Sequence, residues 1–251
     1  MDAGKALVTG AGKRLGRAMA LYLAQRGFDV AVHYAGSEAQ AQGVVAEIHD
    51  MGRQAVALKA DLLDEAQTAT LVSRAMDALG GPLTVLVNNA SIFEDDDLRD
   101  MTRASWDRHI ESNLRAPVLL TQDFARHAPK AGRDAAGEPL PRAVVVNMLD
   151  QRVRNLRADH MSYTVGKMGL WAFTQTAARA LAPDVRVNAI GPGPTLQGAH
   201  QTAEGFVAER HGTLLGRGAN LSDITHALGY FLDADAVTGQ LLCVDGGQHL
   251  T

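Results

Sequence analysis

The sequence predicts one α/β domain, a doubly wound parallel sheet of about seven strands with helices on both faces. Three observations carry this. Short apolar runs alternate with amphipathic segments from the first residues onward. A glycine-rich turn follows the first apolar run directly. No linker or internal repeat interrupts the 251 residues, which read as a single domain, 1–251.

The first strand is Ala6-Leu7-Val8, closed by Gly10. Residues 14 to 26 put Leu15, Ala18, Met19, Tyr22 and Leu23 on one helical stripe, and Gly27 supplies the stop. Val30-Ala31-Val32 is the second strand, followed by a helix near 37–51 that stops at Gly52. Val56-Ala57-Leu58 is the third, and a helix near 64–79 ends at Gly80-Gly81-Pro82. Leu83 to Val87 form the fourth strand. A long helical region of about 103–127 comes next, then a polar loop over 128–142 punctuated by Gly and Pro. Val144-Val145-Val146 is the fifth strand, 161–182 a helix, Val185 to Ile190 the sixth strand and Leu241 to Val244 the seventh. Right-handed crossovers then restrict the topology. The segment from 191 to about 220 has no firm periodicity. It reads as a substrate loop or lid, or as an irregular surface loop.

Composition narrows the function classes. A hydrophobic fraction of 46% and a charged fraction of 21% suit a globular protein with a large core. The net charge of −4 argues against nucleic acid or an anionic membrane as partner. One cysteine, Cys243, excludes an intrachain disulfide and suits a reducing compartment. Its apolar neighbours mark it as a strand residue rather than a reactive thiol. No leader-like segment and no run of roughly 20 apolar residues is present, so a cytoplasmic location is expected. No metal site is expected.

Two local patterns carry chemistry. The first is Thr9-Gly10-Ala11-Gly12-Lys13-Arg14-Leu15-Gly16. In a doubly wound sheet of Rossmann type this turn faces the pyrophosphate of a dinucleotide. Gly10 permits the tight turn, Gly12 and Gly16 allow close approach, and the helix start offers free N–H groups. The second is Tyr163-Thr164-Val165-Gly166-Lys167. A Tyr and a Lys four apart share a helix face, so the ammonium can reach the phenol, favour the phenolate and make the Tyr a better proton donor.

These patterns, with Asn88-Asn89-Ala90-Ser91, Asn113 and Pro192-Gly193, resemble the short-chain dehydrogenase/reductase family over nearly the whole chain. The resemblance implies Tyr163 as proton donor in reduction. It implies Lys167 as the group that lowers the Tyr pKa and binds the nicotinamide ribose, and Asn113 as organiser of a proton-relay water. It also implies that Asp61-Leu62 contact adenine, that Asn89-Ala90 border the cofactor, that Pro192-Gly193 flank the nicotinamide and that Thr195 meets its carboxamide. Relatives are often tetramers, so a homo-oligomer is implied, with Trp171 and Phe173 as interface candidates.

The strand-end segment His33-Tyr34-Ala35-Gly36-Ser37 holds no acid before Glu38, so the ribose 2′-hydroxyl of NAD lacks its usual partner. Lys13, at a position often basic in NADP-binding relatives, can hold a 2′-phosphate together with His33 and Ser37. NADP(H) is therefore the expected cofactor. His33 has a second reading, as a strand-end residue without a ligand role. Arg14 stands where the family has its middle glycine. Since Arg cannot relax the backbone, it is expected to aim its side chain at phosphates or substrate, or else to be a solvated helix-start residue.

Asp150 stands where most of the family has a serine. An ionised carboxylate has no donor and repels a developing alkoxide, whereas a pterin ring nitrogen needs a proton when its C=N bond is reduced. Asp150 with Arg14, Ser91 and Phe93 resembles the pteridine reductase branch, in which the aromatic stacks the flat pterin. Phe93 as a packed loop residue and Asp150 as a structural acceptor are the plainer alternatives. The acidic run Glu94-Asp95-Asp96-Asp97 does not suit a neutral pocket edge. The expected function is an NADPH-dependent reductase of pterins of dihydropterin, dihydromonapterin or biopterin type. A carbonyl or alcohol oxidoreductase is the alternative, and a non-catalytic NADP(H)-sensing regulator a third.

Overall fold

The computed structural model describes residues 4–198 and 201–251. The chain runs β1 (Lys5–Val8), α1 (Arg14–Gln25), β2 (Asp29–Tyr34), α2 (Glu38–Asp50), β3 (Ala55–Lys59), α3 (Glu65–Thr68), α4 (Leu71–Leu79) and β4 (Val85–Asn88). It continues through α5 (Arg103–Ile110), a π-turn (Glu111–Arg115), α6 (Ala116–His127), the short β5 (Gly132–Arg133) and β6 (Pro139–Leu140), and β7 (Ala143–Met148). Then come α7 (Met161–Leu181), β8 (Val185–Pro192), α8 (Ala203–His211), α9 (Leu221–Asp233) and β9 (Leu241–Val244).

Seven strands form one sheet in the order β3-β2-β1-β4-β7-β8-β9, and every pairing within it is parallel. The order reverses between β1 and β4, so their carboxyl ends open the crevice where doubly wound sheets bind ligands. Both faces are covered, which is why these strands are nearly continuous Val, Leu and Ala. Ala6, Val8, Val144 and Val146 face a core with α1, α2 and α9. Leu7, Leu86 and Val145 face the opposite core with α4, α6 and α7.

Three segments depart from the local reading. The helix expected over 64–79 breaks at residues 69 and 70, leaving α3 capped by Asp64, whose side chain accepts from Ala66 N and Gln67 N. The helix expected over 103–127 contains the π-turn, which lies just before Pro117. A proline has no N–H, so the ordinary bond back to the Asn113 carbonyl cannot form and the ladder shifts there. Within the expected loop 128–142, β5 and β6 pair as a small antiparallel ribbon.

The region 191–220 is not irregular throughout. β8 runs on to Pro192, and α8 is a full helix without a single buried residue. Arg210 anchors the base of this excursion by donating to Pro194 O at 2.9 Å, Ala219 O at 2.6 Å and Gly218 O at 3.2 Å. The sequence reading assigns no element to α9, yet Ile224, Ala227, Leu228, Phe231 and Leu232 form its buried stripe.

Candidate active site

The site gathers at the carboxyl ends of β1, β4, β7 and β8. Thr9 follows β1, and its hydroxyl accepts from the backbone amides of Asn89 and Ala90, both at 2.9 Å. The Asn89 amide donates to Thr9 O at 2.8 Å and Gly10 O at 3.2 Å. The turn after β4 therefore clamps the turn after β1. Gly10 has φ +62°, and a Cβ there would lie 3.1 Å from Ala90 Cα. At Gly16 a Cβ would lie 2.2 Å from Gly10 O, and at Gly12 it would lie 2.9 Å from Ser37 Oγ. The missing side chains let α1 close on its own turn and let that turn touch the start of α2.

Lys13 is the N-cap of α1 but contributes no side-chain cap, and the first turn of α1 has no acid. The free N–H groups and the positive dipole end are thus left for an anion. Lys13 is exposed and Ser37 half-buried, with Gly12 between them in the turn. Leu15 is half-buried against the first core. Asp61 is exposed and holds the next turn through Leu63 N, while Leu62 is buried. Pro192 and Gly193 are half-buried, and Thr195 is buried with its hydroxyl donating to Gly193 O at 3.0 Å.

One expectation for this half of the site is corrected, and a second residue gains partners of its own. His33 is 1% exposed, and both ring nitrogens are engaged inside the protein. Nδ1 accepts from Gly10 N–H at 3.0 Å, and Nε2 donates to Ala60 O at 3.1 Å. Burial brings its pKa down to about 4, so the ring is neutral and has nothing left to offer a 2′-phosphate. Arg14 does adopt the left-handed conformation that suits a glycine, with φ +54°. Its guanidinium remains exposed and donates to Gln197 O at 2.8 Å and Leu196 O at 3.2 Å. A strain of about 1 kcal/mol is sustained there by contacts to the loop after β8.

The chemical half of the site lies between β7 and α7. Asp150 follows β7, and its Oδ1 accepts from Arg152 N at 2.8 Å, capping a short 3-10 turn. Its Oδ2 accepts from the Tyr163 hydroxyl at 2.9 Å. Lys167, one turn along α7, is buried and donates to Met148 O at 2.7 Å. Its ammonium lies 5.6 Å from the Tyr163 ring centroid. The expected Lys-to-phenol pairing is therefore replaced by a phenol-to-carboxylate bond. Burial, and then the Asp150 carboxylate, push the Tyr163 phenol well above its ordinary pKa. Burial lowers Lys167 to about 8 against the opposing pull of Asp150.

Asn113 sits in the π-turn, and its amide pairs with Ile92 on both sides, accepting from Ile92 N and donating to Ile92 O, each at 2.8 Å. This fixes the chain between Ser91 and Phe93. Ser91 is exposed, and Phe93 is 51% exposed. The Phe93 ring meets Tyr163 edge-on, with centroids 4.7 Å apart and planes at 77°. It is thus an open ring beside the phenol and not a packed core residue.

Several residues of the site have no clear local signal. His160 stacks on Phe93 with centroids 4.2 Å apart and planes at 29°, and its φ of +52° starts α7. Ser162 donates to Asp96 through its hydroxyl and receives His109 Nδ1–H at 2.6 Å, while His109 Nε2 accepts from Glu94 N at 3.1 Å. Asp96 Oδ1 also accepts from Ser162 N at 3.1 Å. Glu94 pairs with Arg108 at 2.7 Å. The acidic run is thereby explained without a ligand: two of its carboxylates lock the Phe93 segment to α5 and to the start of α7.

Among the described residues no helix is long and apolar enough to cross a membrane, and no group of acids, His and Cys is arranged to hold a metal. Residues 4–205 match the sequence model of the short chain dehydrogenase family. The 3-oxoacyl-[acyl-carrier-protein] reductase FabG of Staphylococcus aureus is 32% identical over 250 residues, covering 98% of each chain. Among solved structures, FolM alternative dihydrofolate reductase 1 of Brucella suis, in complex with NADP, superposes with a TM-score of 0.91 and 39% identity, covering 98% of this chain and 95% of that one. A short chain dehydrogenase of Burkholderia cenocepacia, also in complex with NADP, gives 0.86 and 32%, covering 97% and 96%.

Proposed function

The chain belongs to the short-chain dehydrogenase/reductase family, and we propose that it is an NADPH-dependent reductase of pterins. The observation that carries the reading is the Tyr163 hydroxyl bonded to Asp150 at 2.9 Å beside the open ring of Phe93. The FolM relative with bound NADP supports both the cofactor and the substrate class.

The residues present fit a dinucleotide. The uncapped start of α1 and the glycine turn receive the pyrophosphate, and Lys13 with Ser37 takes the 2′-phosphate. Asp61 and Leu62 border the adenine, Asn89 and Ala90 the middle of the cofactor, and Pro192, Gly193 and Thr195 the nicotinamide end. When bound, NADPH supplies the hydride.

The chain's own task is to hold the flat substrate and to deliver one proton. Phe93 provides a stacking face, buttressed by His160. Arg14 and Ser91 border the substrate from the first turn and the β4 turn. Tyr163 holds the proton: its raised pKa keeps the phenol protonated until a ring nitrogen becomes basic on reduction. Asp150, on the far side of that hydroxyl, accepts its hydrogen bond in the resting state and, after transfer, relays to the phenolate a replacement proton taken up from solvent. Lys167 fixes its ammonium on the Met148 carbonyl, one turn from Tyr163, where it meets the nicotinamide ribose. Asn113 positions the Phe93 segment through Ile92 and keeps the role of organising a relay water. In the same reading the protein is a homotetramer, with Trp171 and Phe173 of α7 toward an interface.

A second reading, reduction of a carbonyl group, is favoured by the FabG relative at 32% identity. NADPH oxidation against dihydrobiopterin, quinonoid dihydropterin and a ketone panel separates the two. Pterin reduction by the parent is expected, and Asp150→Ser is expected to lose it while raising activity on simple ketones. A parent protein that reduces ketones well and no pterin would overturn the pterin reading.

A further inference from the structure

We propose that His33 is the positioning residue of the cofactor turn and not a ligand of the cofactor. The inference rests on the dinucleotide part of the reading above and is independent of the pterin.

His33 is the penultimate residue of β2, at the strand end where a 2′-phosphate contact is ordinarily sought. Its side chain points into the protein. The ring ties the end of β2 to the turns after β1 and β3, since Nδ1 takes the amide of Gly10 and Nε2–H is given to Ala60 O, and the His33 backbone carbonyl adds a bond from Ala11 N at 2.8 Å. These partners fix the tautomer, with the proton on Nε2. Burial keeps the ring uncharged, with Arg74 acting in the same direction and Asp61 against it.

The peptide groups of Gly10 are thereby held from both sides. Its N–H is taken by His33 and its C=O by the Asn89 amide at 3.2 Å. Gly10 sits at φ +62°, where the chain has little intrinsic preference to stay in one orientation. The following amides, at the start of α1, are the ones that face an anion. A turn whose first peptide plane can rotate presents those amides less often in the right direction, and affinity falls by that fraction. A buried imidazole with both nitrogens in use discriminates nothing about the 2′ position. It therefore serves NADPH and NADH alike.

Two isosteres divide the ring. His33→Asn places an oxygen near Nδ1 and keeps the acceptor for Gly10 N–H. His33→Gln places its amide near Nε2 and keeps the donor to Ala60 while losing Gly10. Binding of NADPH and of NADH is measured by fluorescence titration without substrate, beside thermal unfolding of each variant. The Gln variant is expected to weaken both cofactors equally, by about tenfold, the order of one lost hydrogen bond. The Asn variant is expected to stay within about threefold of the parent. Lys13→Ala serves as the contrast, since it should weaken NADPH alone. Equal affinity losses in the Asn and Gln variants, or a loss confined to NADPH, overturn the proposal. So does failure of both variants to fold, because the ring would then act on the fold and not on the turn. A Gln variant that fails to fold beside an Asn variant that folds overturns it too, because the Gly10 bond would then hold the fold and not orient the turn. A parent that binds neither cofactor instead refutes the dinucleotide reading.

Discussion

Replacing Lys167 by Met should abolish a measurable pH dependence of stability. The ammonium is 2% exposed and has one hydrogen-bond partner described, the Met148 carbonyl at 2.7 Å. Its pKa falls from 10.5 to about 8, first because burial penalises the charged form, with the Asp150 carboxylate resisting. That drop corresponds to about 3 kcal/mol of destabilisation, fully present below the folded pKa. The sign follows from proton counts. Between the folded value of about 8 and the unfolded value of 10.5 the unfolded chain holds the proton that the folded chain has released, so stability rises with pH across this window. Between about pH 7 and about pH 9.5 the parent should recover about 2 kcal/mol that the Met variant never lost. At neutral pH the two should be nearly equal, because Met removes the buried charge but leaves the Met148 carbonyl without its donor, at about 1–3 kcal/mol. Urea unfolding of the cofactor-free proteins at three pH values in this range reads the difference directly. Turnover of the variant should be lost at every pH, since the ribose partner is gone. Parallel stability profiles for parent and variant would refute the burial argument, because they would mean that the ammonium stays hydrated in the folded state.

Tyr163→Phe keeps the ring against Phe93 and deletes the proton. Turnover should fall by at least about a hundredfold while NADPH affinity by titration is unchanged; a variant that retains most of its activity removes Tyr163 from the donor role. Phe93→Ala should raise the pterin KM by about tenfold with kcat nearly constant, whereas Asp150→Ala should lower kcat and leave KM. If both substitutions move the same constant, the division between stacking platform and proton relay is wrong.

The sheet, the glycine turn and the Tyr163–Lys167 pair were legible because each is a local pattern. β1 and its turn span residues 5–16, and an i,i+4 pair on a helix needs no knowledge of the rest of the chain. The stripe of α9 was equally local and is legible once its Ile, Leu and Phe spacing is followed; α8, with no buried face, carries no such signal. What only the tertiary structure decides is which way a polar side chain faces and what it meets. His33 stands at a strand end in the sequence, but 23 residues of separation close onto the Gly10 amide and remove it from the phosphate set. Arg14 finds its acceptors 182 and 183 residues away, in the loop after β8. The Asp96, Ser162 and His109 chain joins residues 66 and 53 apart and converts an acidic run from an odd pocket edge into a clamp. The phenol at 163 has a lysine one helical turn away, yet it bonds a carboxylate brought in by another element at 2.9 Å. Periodicity records which face of an element is buried. Hydrogen bonding in a buried site is settled by donors and acceptors that the fold brings together from distant parts of the chain, since each must find a partner once water is excluded.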